Sequence, residues 1–204
     1  RVVPNRSFVA KKVPEKSRWY DGEAGWDGFY NGSKTLQQQV NEWYQLHFKC
    51  NYQFLNAPKG YGVALTETQN SHALLPSQVG AGISQVFPFV VAAMKSDIGI
   101  VSIEQPELHL HPAWQVELAE LLLLQTSDLS VTKQFFIETH SEHMILRLLR
   151  RVRESKIRPD NLSIIYMNIR EDGIEPVKLD VTTDGDFAED WPNGFFDERD
   201  EELF

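Results

Sequence analysis

The sequence has only one cysteine among its 204 residues, and it has no long uninterrupted apolar run. With Cys50 alone, no disulfide can form within the chain, which favours a reducing compartment. A membrane-spanning helix needs about 18 or more apolar residues in succession. The longest apolar stretches are cut by polar residues at 95–97 and 125. We therefore expect a cytoplasmic protein with no membrane partner.

Basic residues are scarcer than acidic ones, with 20 Lys and Arg against 29 Asp and Glu, giving a net charge of -9. Residues 184–204 contain nine acids and one base, Arg199, so this segment alone carries -8. Residues 1–183 therefore carry a net charge of only about -1. The acidic net charge of the whole chain thus does not exclude nucleic-acid binding by residues 1–183. Trp191 and Phe195–Phe196 predict that this acidic tail is anchored, because purely solvating tails are poor in aromatics.

The apolar periodicity predicts an α/β fold. Residues 1–34 show little periodicity and are expected to be mostly loop. Helices are predicted at 35–48, from 83 to about 94, at 112–125 and at 141–154, and strands at 51–55, 61–66, 98–103, 134–138, 161–168 and 174–179. The alternating second half predicts a parallel sheet flanked by helices.

Three polar clusters interrupt this pattern. The first, at 104–112, follows an apolar strand and reads Glu-Gln-Pro-Glu-Leu-His-Leu-His-Pro. The second, Glu-Thr-His-Ser-Glu-His at 138–143, follows the next strand. Parallel strands bring both clusters to one sheet edge, where ligands bind, so Glu104 and His140 should lie close together. A carboxylate there can hold Mg²⁺ beside nucleotide phosphates, and a histidine can contact a γ-phosphate or orient water.

The third cluster, Gly80-Ala-Gly-Ile-Ser84, precedes an apolar helix. Small residues there would let phosphate oxygens approach backbone N–H groups. Each cluster also has an ordinary structural explanation when taken alone: a polar turn, a histidine beside the Ser141 helix cap, and a tight turn.

Together and in this order, the clusters resemble the signature loop, the Walker B strand with its D-loop, and the switch-histidine loop of ABC-type ATPases. The phrases at 104–112 and 139–141 are similar to those of the recombination-type and overcoming-lysogenization-defect-like group. Residues 191–198 look like an uncharacterised tail carried by one branch of that group. The resemblance implies a partial P-loop NTPase fold, with the C-terminal half of the ATPase domain at 35–183 and the acidic tail at 184–204.

The resemblance also implies roles for individual residues. Glu104 takes the Walker B position and should support Mg²⁺, and His140 is the switch histidine. Gln105 stands where many relatives keep a catalytic glutamate, and Glu107 belongs to the D-loop. The residues expected to contact ATP held by an opposite subunit are Gly80, Ala81, Gly82 and Ser84.

Three departures qualify that pattern. Gly80 stands at the usual signature serine, although Ser84 is near. Gln105 cannot act as a general base, so hydrolysis should be slow or depend on Glu107. No good P-loop is present: the lookalike Gly28–Thr35 has Ser33 in place of a glycine and no preceding strand. The lookalike also lies too near the signature loop to leave room for the usual helical lobe, so we expect the working P-loop upstream of Arg1.

The resemblance implies ATP and Mg²⁺ as cofactors, a head-to-tail ATP-sandwich dimer or higher oligomer, and an effector such as a nuclease in DNA maintenance or phage defence. Four arginines at helical spacing could contact nucleic-acid phosphates, although this spacing favours a solvated outer face over such a contact: Arg147, Arg150, Arg151 and Arg158.

The sequence is compatible with two other functions. His109, His111, His140 and His143 with Glu104 could form a metal-hydrolase site. Alternatively, the head could be a catalytically silent assembly platform, which Gln105 and the missing P-loop favour.

Overall fold

The computed structural model describes residues 22–57, 60–67, 72–126, 133–189 and 191. The chain divides into two compact units, residues 1–140 and residues 141–204. The helices are α1 (Glu23–Tyr30), α2 (Lys34–Phe48), α3 (Ala81–Gln85), α4 (Phe87–Met94), α5 (Pro112–Thr126) and α6 (Glu142–Arg153). The strands are β1 (Cys50–Ala57), β2 (Gly60–Glu67), β3 (Ala73–Leu74), β4 (Ile100–Glu104), β5 (Gln134–Glu138), β6 (Ile164–Arg170) and β7 (Gly173–Leu179).

The first unit is built around an aromatic core. α1, α2, α4 and the β1–β2 hairpin contribute the rings of Trp26, Phe29, Tyr44, Tyr52 and Phe87. Trp26 stacks on Phe87 with the ring centroids 4.0 Å apart. Seven consecutive residues of α4, 87–93, are buried, as expected for a helix that is apolar on every side. Helix α4 is therefore the centre of the first unit.

The described residues of this unit form two sheets. β1, β2 and β3 form an antiparallel sheet, whereas β4 and β5 pair in parallel. The parallel pair requires a crossover, which α5 provides, with Leu118, Ala119, Leu121 and Leu122 buried. The polar clusters of the sequence lie on the loops that follow β4 and β5.

A buried lysine fixes the start of β5 against the end of α4. The Lys133 ammonium donates hydrogen bonds to the carbonyls of Ala93, at 2.5 Å, and Lys95, at 2.7 Å. Burial lowers the pKa of Lys133, and the nearby Asp97 carboxylate partly offsets that shift. The lysine satisfies carbonyls that a helix C-terminus leaves without internal partners.

The second unit contains α6 and the β6–β7 hairpin. Ser141 caps α6 by accepting a hydrogen bond from the Met144 N–H at 3.1 Å. The helix buries one face: Met144, Ile145, Leu149 and Val152. Gly185, at φ +67°, packs against the last turn of α6, where a Cβ would lie 2.8 Å from the Arg153 nitrogen.

The acidic tail begins inside this unit. Arg153 donates hydrogen bonds to the carbonyls of Asp184 and Gly185, at 2.9 and 3.1 Å. The Trp191 ring contacts Tyr166 and Phe187, with centroids 6.0 and 4.8 Å away. Trp191 thus packs against two aromatic rings of this unit, whereas Phe195 and Phe196 lie outside the described residues.

The structure differs from the sequence prediction at three places. The loop predicted for 1–34 is wrong at Glu23–Tyr30, which forms α1. The helix predicted after Gly82 is two helices that meet at Val86. The third parallel strand is also wrong, because β6 pairs with β7 in an antiparallel hairpin. Such pairing depends on tertiary partners that apolar periodicity does not specify.

No helix within the described ranges combines the length and the apolar character that crossing a membrane requires.

Burial should make Cys50 unreactive. Its side chain is 5% exposed, and burial, aided by the Glu67 carboxylate, raises the pKa of the thiol to about 11. Since the thiolate is the nucleophile, only about a thousandth of the thiol is reactive at pH 8. We expect almost no reaction with Ellman's reagent in native protein and full reaction in denaturant. Stoichiometric labelling of native protein within minutes would contradict this packing.

Candidate functional site

The carboxyl ends of β4 and β5 meet at one sheet edge, as the sequence predicted. The two strands pair in parallel with Glu104 opposite Glu138. The Gln105 N–H continues the ladder beyond β4 by donating to the Glu138 carbonyl at 2.7 Å. Both carboxylates are exposed, and His140 follows Glu138 by two residues. The edge therefore presents two acids and the start of both polar loops together.

The loop after β4 is a tight turn with two left-handed residues. Gln105 has φ 46° and His109 has φ 62°, values that non-glycine residues adopt rarely and that often mark functional sites. Two backbone hydrogen bonds close the turn, Leu108 N–H to Gln105 O at 3.2 Å and Leu110 N–H to Glu107 O at 2.9 Å. The backbone at this edge is therefore held in an unusual shape.

Glu107 links this turn to the loop after β5. Its Oε1 accepts a hydrogen bond from the backbone N–H of His140 at 2.8 Å. Glu107 is 9% exposed, whereas the His140 side chain is exposed. The histidine thus has an anchored backbone and an imidazole that can reach a ligand.

The predicted signature segment packs against the same turn. A Cβ at Gly82 would lie 2.8 Å from the His109 carbonyl carbon, and closer still to its oxygen. Around Gly80, by contrast, a Cβ would meet nothing within 4 Å. Gly82 is therefore small because the turn lies against it, whereas Gly80 leaves the backbone open to a ligand. Ala81 begins α3 and is half-buried.

Hydrogen bonds of Ser84 and Ile83 hold α3 in place. The buried Ser84 hydroxyl donates to the Pro76 carbonyl at 3.1 Å. The Ile83 carbonyl accepts hydrogen bonds from the hydroxyls of Tyr44, at 2.9 Å, and Tyr52, at 3.3 Å. Burial raises the pKa of both tyrosines well above the usual range, so the hydroxyls remain donors. The periodicity placed Tyr44 on a helix face, but nothing in the sequence pointed to Ile83 as its partner.

The histidine-rich loop does not form a metal cage. The His111 Nδ1 accepts a hydrogen bond from the Ala113 N–H at 3.2 Å, next to the start of α5. Its ring also packs edge-on toward Trp114. Within the described ranges, no three His, Cys, Asp or Glu side chains come together as a metal ion would need. The geometry therefore gives the metal-hydrolase hypothesis no support.

The P-loop lookalike at 28–35 has the wrong local structure for phosphate binding. Gly28 lies inside α1, and Ser33 caps α2 by accepting from the Leu36 N–H at 3.1 Å. A P-loop follows a strand, whereas this segment connects two helices. Residues 28–35 therefore lack the strand-to-loop geometry of a P-loop.

Three of the four arginines predicted to contact phosphates have acidic partners inside the second unit. Arg150 and Arg151 both pair with Glu154, the first at 2.8 Å, and Arg158 pairs with Asp160 at 3.0 Å. These acids reduce the local positive charge that nucleic-acid phosphates would meet.

Comparison with known proteins identifies the family. Residues 5–145, more than half of the chain, match the family described as "AAA domain, putative AbiEii toxin, Type IV TA system". The chain belongs to this family of AAA-type P-loop ATPase domains. A search of curated proteins finds no significant match.

Solved structures of SMC ATPase heads share the fold of this ATPase domain. A structure from work on ATP-driven dimerization and DNA-stimulated activation of SMC ATPases gives a TM-score of 0.53 at 14% identity, covering 78% of this chain and 89% of the other. A head bound to the C-winged helix domain of ScpA gives 0.55 at 12%, covering 83% and 52%. The Pyrococcus furiosus Smc head with an extended coiled coil, bound to the C-terminal domain of ScpA, gives 0.52 at 11%, covering 79% and 39%.

These similarities establish an α/β P-loop NTPase-like fold with a parallel sheet and helices. The chain spans only about half, or less, of the last two heads.

The two glycines of the AAA-type domain should respond differently to alanine. Gly82→Ala forces a methyl group into the His109 carbonyl, and overpacking of this kind costs about 1–3 kcal/mol. Gly80→Ala is the matched control, because its added methyl meets nothing. We expect Gly82→Ala to lower the thermal unfolding midpoint by several degrees and Gly80→Ala to leave it within about one degree. Equal midpoints for both variants would rule out the packing of the turn on α3.

Proposed function

We propose that this chain is the part of an ABC-type ATPase head that carries the Walker B strand, D-loop, switch histidine and signature loop. The proposal extends the family assignment to the recombination-type and overcoming-lysogenization-defect-like group. The observation that carries it is the parallel register of Glu104 with Glu138, which brings the His140 loop to the same edge as Glu104. The P-loop that would hold most of the ATP is proposed to lie upstream of Arg1.

The residues at the edge fit a Mg²⁺ bound together with nucleotide phosphates. Magnesium in such sites uses one or two carboxylates and keeps several waters, so a full protein cage is unnecessary. Glu104 supplies an exposed carboxylate at the end of a strand, and Glu138 is its partner across the ladder. When bound, the ion would neutralise charge on the phosphate oxygens.

The exposed His140 side chain is proposed to contact the γ-phosphate or a water beside it. Its backbone is anchored at Glu107, so the imidazole starts from a fixed position, which favours orientation of a reacting group. Gln105 has no basic group, and its N–H is committed to the Glu138 carbonyl. Because a glutamine cannot act as a general base, we propose that hydrolysis is slow or depends on Glu107.

Gly80 to Gly82 are proposed to reach the ATP of a second head in a head-to-tail dimer. The open surroundings of Gly80 support this, because a phosphate oxygen could approach its backbone. The Ser84 hydroxyl is already bonded to Pro76, which makes Gly80 and Ala81 the more accessible part of the segment. ATP-dependent dimerization would resemble that named for the solved SMC ATPase.

The ATP state is proposed to control an attached effector, such as a nuclease in a cytoplasmic DNA-maintenance or phage-defence system. Nucleic-acid contact through Arg147, Arg150, Arg151 and Arg158 remains part of this proposal. We also propose that residues 35–183 form the C-terminal half of the ATPase domain and that residues 184–204 form the acidic tail. A catalytically silent assembly platform is the second candidate, and Gln105 is the observation that favours it.

Substitutions at the sheet edge separate these two candidates. In the full-length protein, we expect Glu104→Gln to weaken Mg-dependent ATP binding, and His140→Ala to keep binding but lower phosphate release by about 10²-fold. Glu171→Gln, at the exposed turn of the β6–β7 hairpin, is the matched control. Binding is measured by calorimetry with and without Mg²⁺, and turnover by phosphate release.

Three results are informative here. Unchanged binding and turnover in both variants would refute the proposed edge. Wild-type protein that binds ATP and dimerises without any turnover would select the assembly platform. Stoichiometric zinc in the purified protein, together with no nucleotide binding, would favour the metal-hydrolase hypothesis.

A further inference from the structure

Glu107 occupies an unusual position between the two polar loops of the first unit. Glu107 is 9% exposed, and none of the salt bridges among the described residues involves it. Burying a carboxylate is costly unless hydrogen bonds compensate it. The compensation comes from one backbone donor, the N–H of His140, at 2.8 Å from Oε1.

The second carboxylate oxygen is left without compensation. Oε2 of Glu107 is fully buried and has no hydrogen-bond partner among the described residues. Buried polar atoms of this kind are rare, and each calls for an explanation. Packing alone does not explain a buried carboxylate with one unsatisfied oxygen, whereas the hydrogen bond that Oε1 accepts gives it a role.

The His140 N–H lies between a strand and a helix, so neither element provides it with a backbone acceptor. β5 ends at Glu138 and α6 begins at Glu142, so the His140 N–H belongs to neither ladder nor helix. On the other side, Glu107 is held within its turn by the Leu110 N–H, which donates to its carbonyl at 2.9 Å. A bond from an N–H to a carboxylate is stronger than one between neutral groups.

We infer that Glu107 is a positioning residue: its carboxylate fixes the backbone of His140 so that the exposed imidazole is presented at the sheet edge. This role differs from that of a general base, for which Glu107 was a candidate in place of Gln105. The inference rests on the proposed function in one respect only, namely which ligand the His140 imidazole contacts. The fixed backbone itself is a property of the chain without nucleotide.

Exchange of the His140 amide hydrogen tests the inference directly. The chain has six histidines, so labelling with ¹⁵N-histidine gives six backbone signals, and His140→Gln identifies the one that belongs to His140. We expect this amide to exchange slowly in wild-type protein. Glu107→Ala should speed its exchange by about 10-fold or more, because the acceptor is removed. Glu107→Gln keeps a carbonyl acceptor and should restore most of the protection.

Glu171→Ala is the matched control, as a surface glutamate in the other unit. The other histidine amides report on global stability, and they should exchange alike in all four proteins. Fast exchange of the His140 amide in wild-type protein overturns the inference. So does unchanged exchange in Glu107→Ala, or equal acceleration of all six amides, which would indicate a general loss of stability.

Turnover in the full-length protein separates positioning from base catalysis. If Glu107 positions His140, Glu107→Ala lowers kcat by about 10²-fold with little change in the KM for ATP, and Glu107→Gln recovers most of that loss. If Glu107 is the base, glutamine abolishes turnover as fully as alanine, and the inference is wrong. Absence of turnover in wild-type protein counts against hydrolysis in the proposed function, while the amide exchange still decides the role of Glu107.

Discussion

The parallel pairing of β4 with β5 is the constraint on which the rest of the site depends. Its register sets Glu104 opposite Glu138, and one further bond, from the Gln105 N–H to the Glu138 carbonyl, carries the ladder past the strand end. Beyond that point the two strands separate: β4 leads into the Gln105–Leu110 turn, and β5 leads into the Thr139–Ser141 loop. A shift of one residue would turn the side chains of one strand to the opposite face and separate the carboxylates from one another.

The surroundings keep this pair in place from several directions. Lys133 ties the beginning of β5 to the carbonyls at the end of α4. The turn lies against Gly82 of α3, and α3 in turn is held by two tyrosine hydroxyls from the aromatic core. The sheet edge is thus connected to the most deeply buried part of the first unit by short, specific contacts. Such a rigid base suits a site in which a few groups must meet phosphate oxygens at fixed positions.

Much of this arrangement could be predicted from the sequence, since strong local signals coincide with it. Apolar runs that end in acids located β4 and β5, and Ser141 located the beginning of α6. What escaped prediction depends on tertiary contacts. Helix α1 lies in a stretch whose glycines and mixed polarity resemble a loop, although Trp26 and Phe29 are buried in the core. The sequence suggested that Gly82 is small so that phosphate can approach. In the structure, the His109 carbonyl also leaves no room for a Cβ at this position. The bond from His140 to Glu107 joins residues 33 positions apart, and no local pattern records it.

The most direct measurement of the central claim is disulfide trapping across the strand ends. In a Cys50→Ser background, cysteines at positions 104 and 138 occupy paired sites on adjacent strands, about 4.8 Å apart, within the range that a disulfide spans. We expect rapid, nearly complete oxidation of this pair and much slower oxidation of a 104–137 pair, whose side chains point to opposite faces. Efficient crosslinking of the 104–137 pair with none at 104–138 would show a different register, and the proposed nucleotide edge would not exist.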